Sequence, residues 1–252
     1  MKRDRAEEIS YLRGQDGWDE KRPTLVFIHG AGESALLWEA QVERLSGAAN
    51  TLALDLPGHG KSGGAAKKSV VDYAAFVADF IQRLALPHPI PCGLSMGGAI
   101  TQQLLLDYGG LFQEGIIVSS GARLRVWPGL FDLILKDPEG YVAWIDRMGF
   151  SPKTPEPVKR PFLEDSRKAD PEVAWGDFKA CDAFDVMPRL PEIKQRVLVI
   201  SAEDDRLTPP KYGEYLERHI PGARRVHILD AGHFVPIEKP DAVNAAIASF
   251  LK

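Results

Sequence analysis

A glycine-flanked serine near the middle of the chain is the strongest constraint on its fold. Residues 93–97 read Gly-Leu-Ser-Met-Gly, and residues 99–106, which follow, are typical of a helix. This pattern at a strand-to-helix junction predicts a sharp turn with no room for side chains at the two glycines. Such a turn exposes Ser95 at its tip as a candidate nucleophile, which needs a neighbouring base to become reactive. Taken alone, the pattern also fits a glycine-rich turn that happens to carry a serine.

Short apolar runs alternate with stretches of helical periodicity along most of the chain. An apolar run without polar alternation is typical of a strand buried on both faces, as in parallel sheets. The predicted strands cover residues 24–28, 51–54, 91–94, 115–119, 196–201 and 225–229. The predicted helices beside them cover residues 38–45, 70–84, 99–106, 211–219 and 241–251. This alternation predicts an α/β fold with a mostly parallel, doubly wound sheet.

Three prolines precede the glycine-flanked serine and conflict with a long strand at that place. Pro87, Pro89 and Pro91 each lack the N–H that a strand residue donates to its neighbour. Because Pro89 and Pro91 are two residues apart, their missing donors would lie on one edge of the strand. We therefore predict a short strand over residues 91–94.

The alternation of strands and helices breaks between residues 122 and 188. Helical-looking pieces without an intervening strand cover residues 127–135, 139–148 and 172–184. We therefore predict a core of residues 1–121 and 189–252, into which residues 122–188 are inserted as a helical cap. The cap aromatics expected to line an apolar pocket are Trp127, Phe131, Trp144 and Trp175. A small cap also needs aromatic side chains for its own core, so some of them are expected to serve only there.

Composition and charge exclude several classes of function. The net charge of −4 argues against nucleic acid or an anionic membrane as a partner. Two cysteines, Cys92 and Cys181, make neither a disulfide framework nor a metal-ligand cluster, and no metal or cofactor is expected. Residues 1–10 lack the apolar run of a signal peptide, and no stretch approaches the roughly 20 apolar residues of a membrane span. We therefore expect a soluble cytoplasmic enzyme.

A nucleophilic serine needs a histidine and a carboxylate, and the chain offers several of each in loops. His233 follows the last predicted strand directly, whereas His29 and His59 lie in glycine-rich loops. Residues 203–205 read Glu-Asp-Asp just past another predicted strand, where sites form in parallel sheets. Asp230 is a further candidate carboxylate. The residues by themselves favour His233 as the base and leave the choice among these acids open.

Together, the motifs resemble the α/β-hydrolase family, specifically its single-cap esterases, enol-lactonases and C–C bond hydrolases. The segments that carry the resemblance are residues 29–32, 55–62, 93–98, 205–209 and 232–233. The resemblance implies that Ser95 is the nucleophile, His233 the general base and acid, and Asp205 the carboxylate that orients the histidine. Ala202 stands at the glycine of the family's Gly-x-x-Asp pattern, which selects Asp205 over Asp204.

The resemblance also implies an oxyanion hole formed by the backbone N–H groups of Ala31 and Met96. In that case His29 and His59 shape loops and take no part in the chemistry. Leu94 departs from the family, which most often has a histidine before the nucleophile, and this change bears on packing behind the turn.

The expected activity is cleavage of a carboxylic ester or lactone of a small, mostly apolar substrate through an acyl-enzyme. A C–C bond hydrolase of aromatic-ring-cleavage products is the first alternative. Arg123, Arg125 and Arg147 could pair with the carboxylate of such a substrate, or could simply be solvated. The second alternative is a non-catalytic ligand-binding protein on the same fold.

Overall fold

The sheet that the apolar runs predict is present in the computed structural model, which describes residues 1–15 and 17–252. Its strands are β1 (Lys2–Ala6), β2 (Ile9–Arg13), β3 (Thr24–Ile28), β4 (Asn50–Leu54), β5 (Pro89–Leu94), β6 (Glu114–Val118), β7 (Arg196–Ala202) and β8 (Arg224–Ile228). Their order across the sheet is β1-β2-β4-β3-β5-β6-β7-β8. All neighbouring pairs from β4 to β8 are parallel, while β2 pairs antiparallel with β1 and β4. The expected α/β fold with a mostly parallel, doubly wound sheet is confirmed.

Helices cover both faces of the sheet. The α-helices of the described residues are α1 (Glu39–Leu45), α2 (Val70–Arg83), α3 (Met96–Asp107), α4 (Gly129–Lys136), α5 (Pro138–Gly149), α6 (Glu156–Ser166), α7 (Pro171–Ala183), α8 (Pro210–His219), α9 (Val235–Glu238) and α10 (Pro240–Phe250). The buried side chains of α2, α3 and α8 belong to the apolar core on one face, and those of α1 and α10 to the core on the other. Two cores explain why the central strands are apolar on both faces.

The N-terminal hairpin of β1 and β2 was not predicted from the sequence. β1 is a charged, largely exposed edge strand, so it lacks the apolar pattern from which a strand can be predicted. β2 is buried along most of its length but covers only five residues. A hairpin of this kind depends on the pairing of its strands with their neighbours, and that pairing is not visible in a local pattern.

Pro89 and Pro91 lie within β5, which is longer than the predicted residues 91–94, and Pro87 precedes the strand. Its ladder with β3 covers Pro89 to Gly93, whereas its ladder with β6 begins only at Cys92. Pro89 and Pro91 therefore lie in a part of the strand that pairs on one side alone. A proline can occupy a strand where its nitrogen faces no partner.

The segment between β6 and β7 contains four α-helices, α4 to α7, and adds no strand to the sheet. α4, α5 and α7 correspond to the three predicted helical pieces. α6 was not predicted because its sequence contains two prolines, Pro157 and Pro161, and a proline inside a helix is unusual. The predicted boundaries of core and cap remain a prediction, and α4 to α7 are called the inserted helices below.

Candidate active site

Ser95 lies at the tip of a strained turn between β5 and α3. Its backbone has φ 56° and ψ −115°, a conformation that non-glycine residues rarely adopt. A Cβ on Gly93 would lie 1.9 Å from the Gly97 carbonyl oxygen, and one on Gly97 would lie 2.2 Å from the Ile28 carbonyl oxygen. Both contacts are with backbone, which cannot move aside. The two glycines of the motif are therefore a steric requirement of the turn.

Neighbouring strand ends hold this turn by hydrogen bonds. The Ser95 N–H donates to the Val118 carbonyl at 3.1 Å. The Ser120 hydroxyl donates to the Ser95 carbonyl at 2.7 Å. These bonds anchor the backbone on both sides of the Ser95 side chain, which itself is left to face the cavities described below.

His233 and Asp205 form a buried pair at the ends of β8 and β7. The Nδ1 atom of His233 lies 3.0 Å from Oδ2 and 3.1 Å from Oδ1 of Asp205. Asp205 also accepts the N–H groups of Leu207 and Thr208 and the Thr208 hydroxyl. Because an ionised carboxylate only accepts hydrogen bonds, Nδ1 of His233 carries the proton and Nε2 is left as the basic atom. This arrangement can withdraw a proton from a nearby hydroxyl.

The charges around His233 favour its protonated form. Burial by itself lowers the pKa of His233, but the charge and hydrogen bond of Asp205 outweigh it, and the charges of Glu33 and Glu238 act in the same direction. The pKa of His233 is therefore raised above its usual 6.5.

The other candidate acids bind groups other than His233. Asp204 accepts a hydrogen bond from the Ser151 hydroxyl at 2.6 Å, and Glu203 accepts one from the Asp230 N–H at 3.1 Å. Asp230 itself is paired with Lys153 on the surface. Asp205 is the acid that the structure brings to His233.

The histidines of the glycine-rich loops bind backbone groups and a carboxylate of the inserted helices. His29 Nδ1 lies 2.8 Å from the Gly30 carbonyl, and His29 Nε2 accepts the Leu56 N–H at 3.0 Å. Burial and the neighbouring His59 lower the pKa of His29 to about 4, so it is neutral. His59 contacts Asp177 on α7 through Nε2 at 2.7 Å. Both rings hold loops together, which is the role the resemblance implied for them.

Two backbone N–H groups next to Ser95 lack a hydrogen-bond partner among the described residues. They belong to Met96, at the first position of α3, and to Ala31, in the loop after β3. On either side of Ala31, the Gly30 N–H donates to Glu33 at 2.8 Å and the Gly32 N–H donates to Asp177 at 2.9 Å. The free N–H groups, one of them at a helix N-terminus, suit a developing negative oxygen.

Ser95 faces an apolar cavity of about 270 Å³. The side chains that line it include Trp127, Leu130, Trp144, Met148, Phe178 and Tyr212. Phe131 and Trp175 are not among the described residues that line it, and their rings pack on each other with centroids 6.0 Å apart. Their predicted contact with substrate remains a prediction, as does that of Trp127 and Trp144.

Two arginines lie at the wall of this cavity. Arg125 donates to the Asp182 carbonyl, and Arg206 donates to the Arg147 carbonyl at 2.9 Å. Arg123 lies 3.8 Å from Asp185 on the surface. Arg206 was not singled out from the sequence, although it directly follows Asp205 in one of the motifs.

A second, smaller cavity of about 30 Å³ lies on the His233 side of Ser95. Its lining includes Ala31, His233 and Glu33. Burial raises the pKa of Glu33 to about 7, against the lowering effect of its hydrogen bond from Gly30. Sequence reasoning missed Glu33; its position one residue past the His-Gly-Ala-Gly segment was the available signal.

Two further features concern metals and membranes. Among residues 1–15 and 17–252, no group of three or more His, Cys, Asp or Glu side chains is arranged to hold a metal ion. None of the helices formed by these residues is long and apolar enough to cross a membrane.

Comparison with known proteins places these features in a family. The model of the alpha/beta hydrolase family matches residues 25–246. The chain is 27% identical over 244 residues to 3-oxoadipate enol-lactonase 2 of Acinetobacter baylyi, an alignment that covers 92% of this chain and 89% of that protein.

Solved structures agree with this assignment. A thermophilic esterase is 30% identical with a TM-score of 0.83, covering 96% of this chain and 92% of that one. The enol-lactonase of Burkholderia xenovorans LB400 is 25% identical with a TM-score of 0.86, covering 96% of both chains. Because the family model spans most of the sequence, the chain belongs to the alpha/beta hydrolase family and is an α/β-fold hydrolase.

Proposed function

We propose that this hydrolase cleaves a carboxylic ester or lactone of a small, mostly apolar substrate. One observation carries the proposal: the strained Ser95, Ala31 and His233 line one cavity, where Asp205 binds His233 from behind and the free N–H of Met96 directly follows Ser95. The arrangement has the nucleophile, base, orienting acid and oxyanion donors that acyl transfer needs. The similarity to an esterase and to enol-lactonases supports the same reaction class.

In the proposed reaction, Ser95 Oγ attacks the substrate carbonyl carbon while Nε2 of His233 takes the hydroxyl proton. The carbonyl electron pair moves onto oxygen, and the N–H groups of Ala31 and Met96 stabilise the oxyanion. The intermediate collapses, the bond to the leaving oxygen breaks, and His233 returns its proton to that oxygen. Water then attacks the acyl-Ser95 ester with His233 again as base, which releases the carboxylic acid and restores Ser95.

The inserted helices supply the apolar wall of the proposed substrate site. We propose that residues 122–188 act as the cap and that Trp127 and Trp144 contact the apolar part of the substrate. A water-poor pocket of this kind strengthens the electrostatic stabilisation of the oxyanion.

Turnover of p-nitrophenyl esters of increasing acyl length tests the proposal. Hydrolysis is expected, with an optimum acyl length set by the cavity of about 270 Å³. Trp144→Ala enlarges the cavity and is expected to move the optimum to longer acyl groups. A folded protein that turns over no ester or lactone, but cleaves vinylogous diketo acids, would move the assignment to C–C bond hydrolysis. Stoichiometric binding without any turnover would instead identify a ligand-binding protein.

As the pH increases, kcat/KM is expected to rise through a single limb with an apparent pKa above the usual histidine value of 6.5. His233 acts as a base only when its Nε2 is unprotonated, so activity appears as the pH rises through the raised pKa. Glu33, whose pKa is raised to about 7, is ionised on the alkaline side of this range, where its charge favours protonated His233. Glu33→Gln removes that charge, so the limb should move to lower pH.

Glu203→Gln is the matched control for this profile, because Glu203 is an exposed carboxyl that accepts the Asp230 N–H. Its limb should coincide with that of the wild type. A flat wild-type profile between mildly acidic and neutral pH would contradict the role of His233, and an unmoved limb in Glu33→Gln would contradict the electrostatic role of Glu33.

A further inference from the structure

Asp177 is a fully buried carboxyl group that the reaction above does not use. It lies on α7, in the inserted helices, and its three partners lie in other parts of the chain. Oδ2 accepts the Gly32 N–H at 2.9 Å and lies 2.7 Å from His59 Nε2, while Oδ1 accepts the Tyr73 hydroxyl at 2.7 Å. A buried carboxylate is retained in a fold only where such partners compensate its desolvation.

His59 and Asp177 form a buried ion pair. The Nδ1 atom of His59 lies 3.0 Å from the Pro57 carbonyl, and Nε2 faces the Asp177 carboxylate. Both ring nitrogens face acceptors, so both must carry a proton. Burial lowers the pKa of His59, but the hydrogen bond and charge of Asp177 outweigh it and raise the pKa. The charge of Asp177 is thereby balanced, which leaves its contact with Gly32 well fixed.

The contact with Gly32 reaches the backbone beside Ala31. Gly32 has φ 67°, and a Cβ on it would lie 3.0 Å from the Ala174 Cβ on the same helix. α7 therefore packs directly on this loop as well as binding its N–H. Glu33 binds the Gly30 N–H on the other side, so the peptide between them, which carries the free Ala31 N–H, is held at both ends.

We propose that Asp177 is a positioning residue that orients the Ala31 N–H toward the oxyanion, so that an inserted helix completes the catalytic backbone. The inference rests on the proposed function, because it assigns the oxyanion to Ala31 and Met96. Nothing in the triad requires Asp177, and its distance in sequence from Gly32 is 145 residues. Its effect is expected on the transition state and not on the binding of the apolar acyl group.

Asp177→Ala is expected to lower kcat about 100-fold, the effect of a displacement near 1 Å in a reacting group's surroundings. KM should stay within a few-fold of wild type, since the apolar cavity is unchanged. The affinity for a trifluoromethyl ketone, whose carbonyl carbon adds to Ser95 Oγ and leaves an oxyanion, should fall in parallel with kcat. Active-site titration with a phosphonate corrects each rate for the folded fraction.

Asp177→Asn keeps the test valid if Asp177→Ala fails to fold. The amide oxygen can accept the Gly32 N–H while its NH₂ group faces the Tyr73 oxygen, so this variant should recover a large part of kcat. Tyr73→Phe is the control, because it removes a buried hydrogen bond to Asp177 but leaves the Gly32 contact. It should lower the thermal midpoint while kcat and ketone affinity stay near wild type.

The inference would be overturned if Asp177→Ala kept the kcat and the ketone affinity of the wild type. It would also be overturned if the losses of kcat in Asp177→Asn and Tyr73→Phe followed only the losses of thermal stability. These outcomes are distinct from a failure of the proposed function. That failure appears in the wild type, as absence of ester turnover or as turnover that survives Ser95→Ala.

Discussion

Ser95→Ala is expected to lower kcat for ester hydrolysis by about 10⁵–10⁶-fold while the protein stays folded. Removal of Oγ removes the atom that forms the acyl-enzyme, and water in its place lacks the same alignment with His233. The alanine Cβ occupies the position of the serine Cβ, so the turn at φ 56° and its two glycines are unaffected. Residual turnover is measured at high enzyme concentration, and mass spectrometry of the phosphonate-treated wild type should show an adduct that the variant lacks.

Ser119→Ala is the matched control for this experiment. Ser119 is also a buried serine just after a strand, with φ 43°, and its hydroxyl has no hydrogen-bond partner among the described residues. Its removal should leave kcat near wild type and should not prevent the phosphonate adduct. Equal activity of Ser95→Ala and wild type would place the nucleophile elsewhere and end the serine-hydrolase proposal.

Asp205→Asn is expected to lower kcat by about 10⁴-fold, as the equivalent change does in a serine-protease triad. The asparagine oxygen can still accept the N–H groups of Leu207 and Thr208, so the loop should keep its conformation. Its NH₂ group then faces Nδ1 of His233, which must become an acceptor. The imidazole proton moves to Nε2, and the ring can no longer act as a base toward Ser95.

Asp204→Asn separates this effect from a general loss of charge at the end of β7. The Asp204 carboxylate accepts the Ser151 hydroxyl, whereas His233 is bound by Asp205, so kcat should change by a few-fold at most. Near-ultraviolet circular dichroism compares the packing of both variants with the wild type. A large loss in Asp204→Asn together with near-normal Asp205→Asn would reverse the assignment of the orienting acid.

The pattern of apolar runs predicted the central sheet because strands buried on both faces are apolar throughout, whatever their neighbours are. The turn at Ser95 was predicted for a related reason. A side chain at Gly93 would collide with Gly97, four residues along the chain, and one at Gly97 would collide with the adjacent strand. Glycine is therefore required at both positions, and the requirement is visible as a short motif. His233 was favoured because it directly follows a strand, and Asp205 followed from the family resemblance where the acids alone left the choice open.

Tertiary structure decided the features that depend on packing between distant segments. The hairpin of β1 and β2 and the proline-rich α6 have weak local patterns, so neither was predicted. Trp127 and Trp144 line the cavity while Phe131 and Trp175 pack on each other, a difference that depends on how the inserted segment packs.

The loop after β3 shows most clearly which features follow from the local sequence and which follow from tertiary contacts. The sequence alone determined that a glycine-rich loop follows a buried strand, because conformational preference and burial are local properties. Only the folded chain brings Asp177 to Gly32 and His59, across 145 and 118 residues. A buried charge is stable only where its partners converge in space, and that convergence is a property of the packed structure and not of any segment.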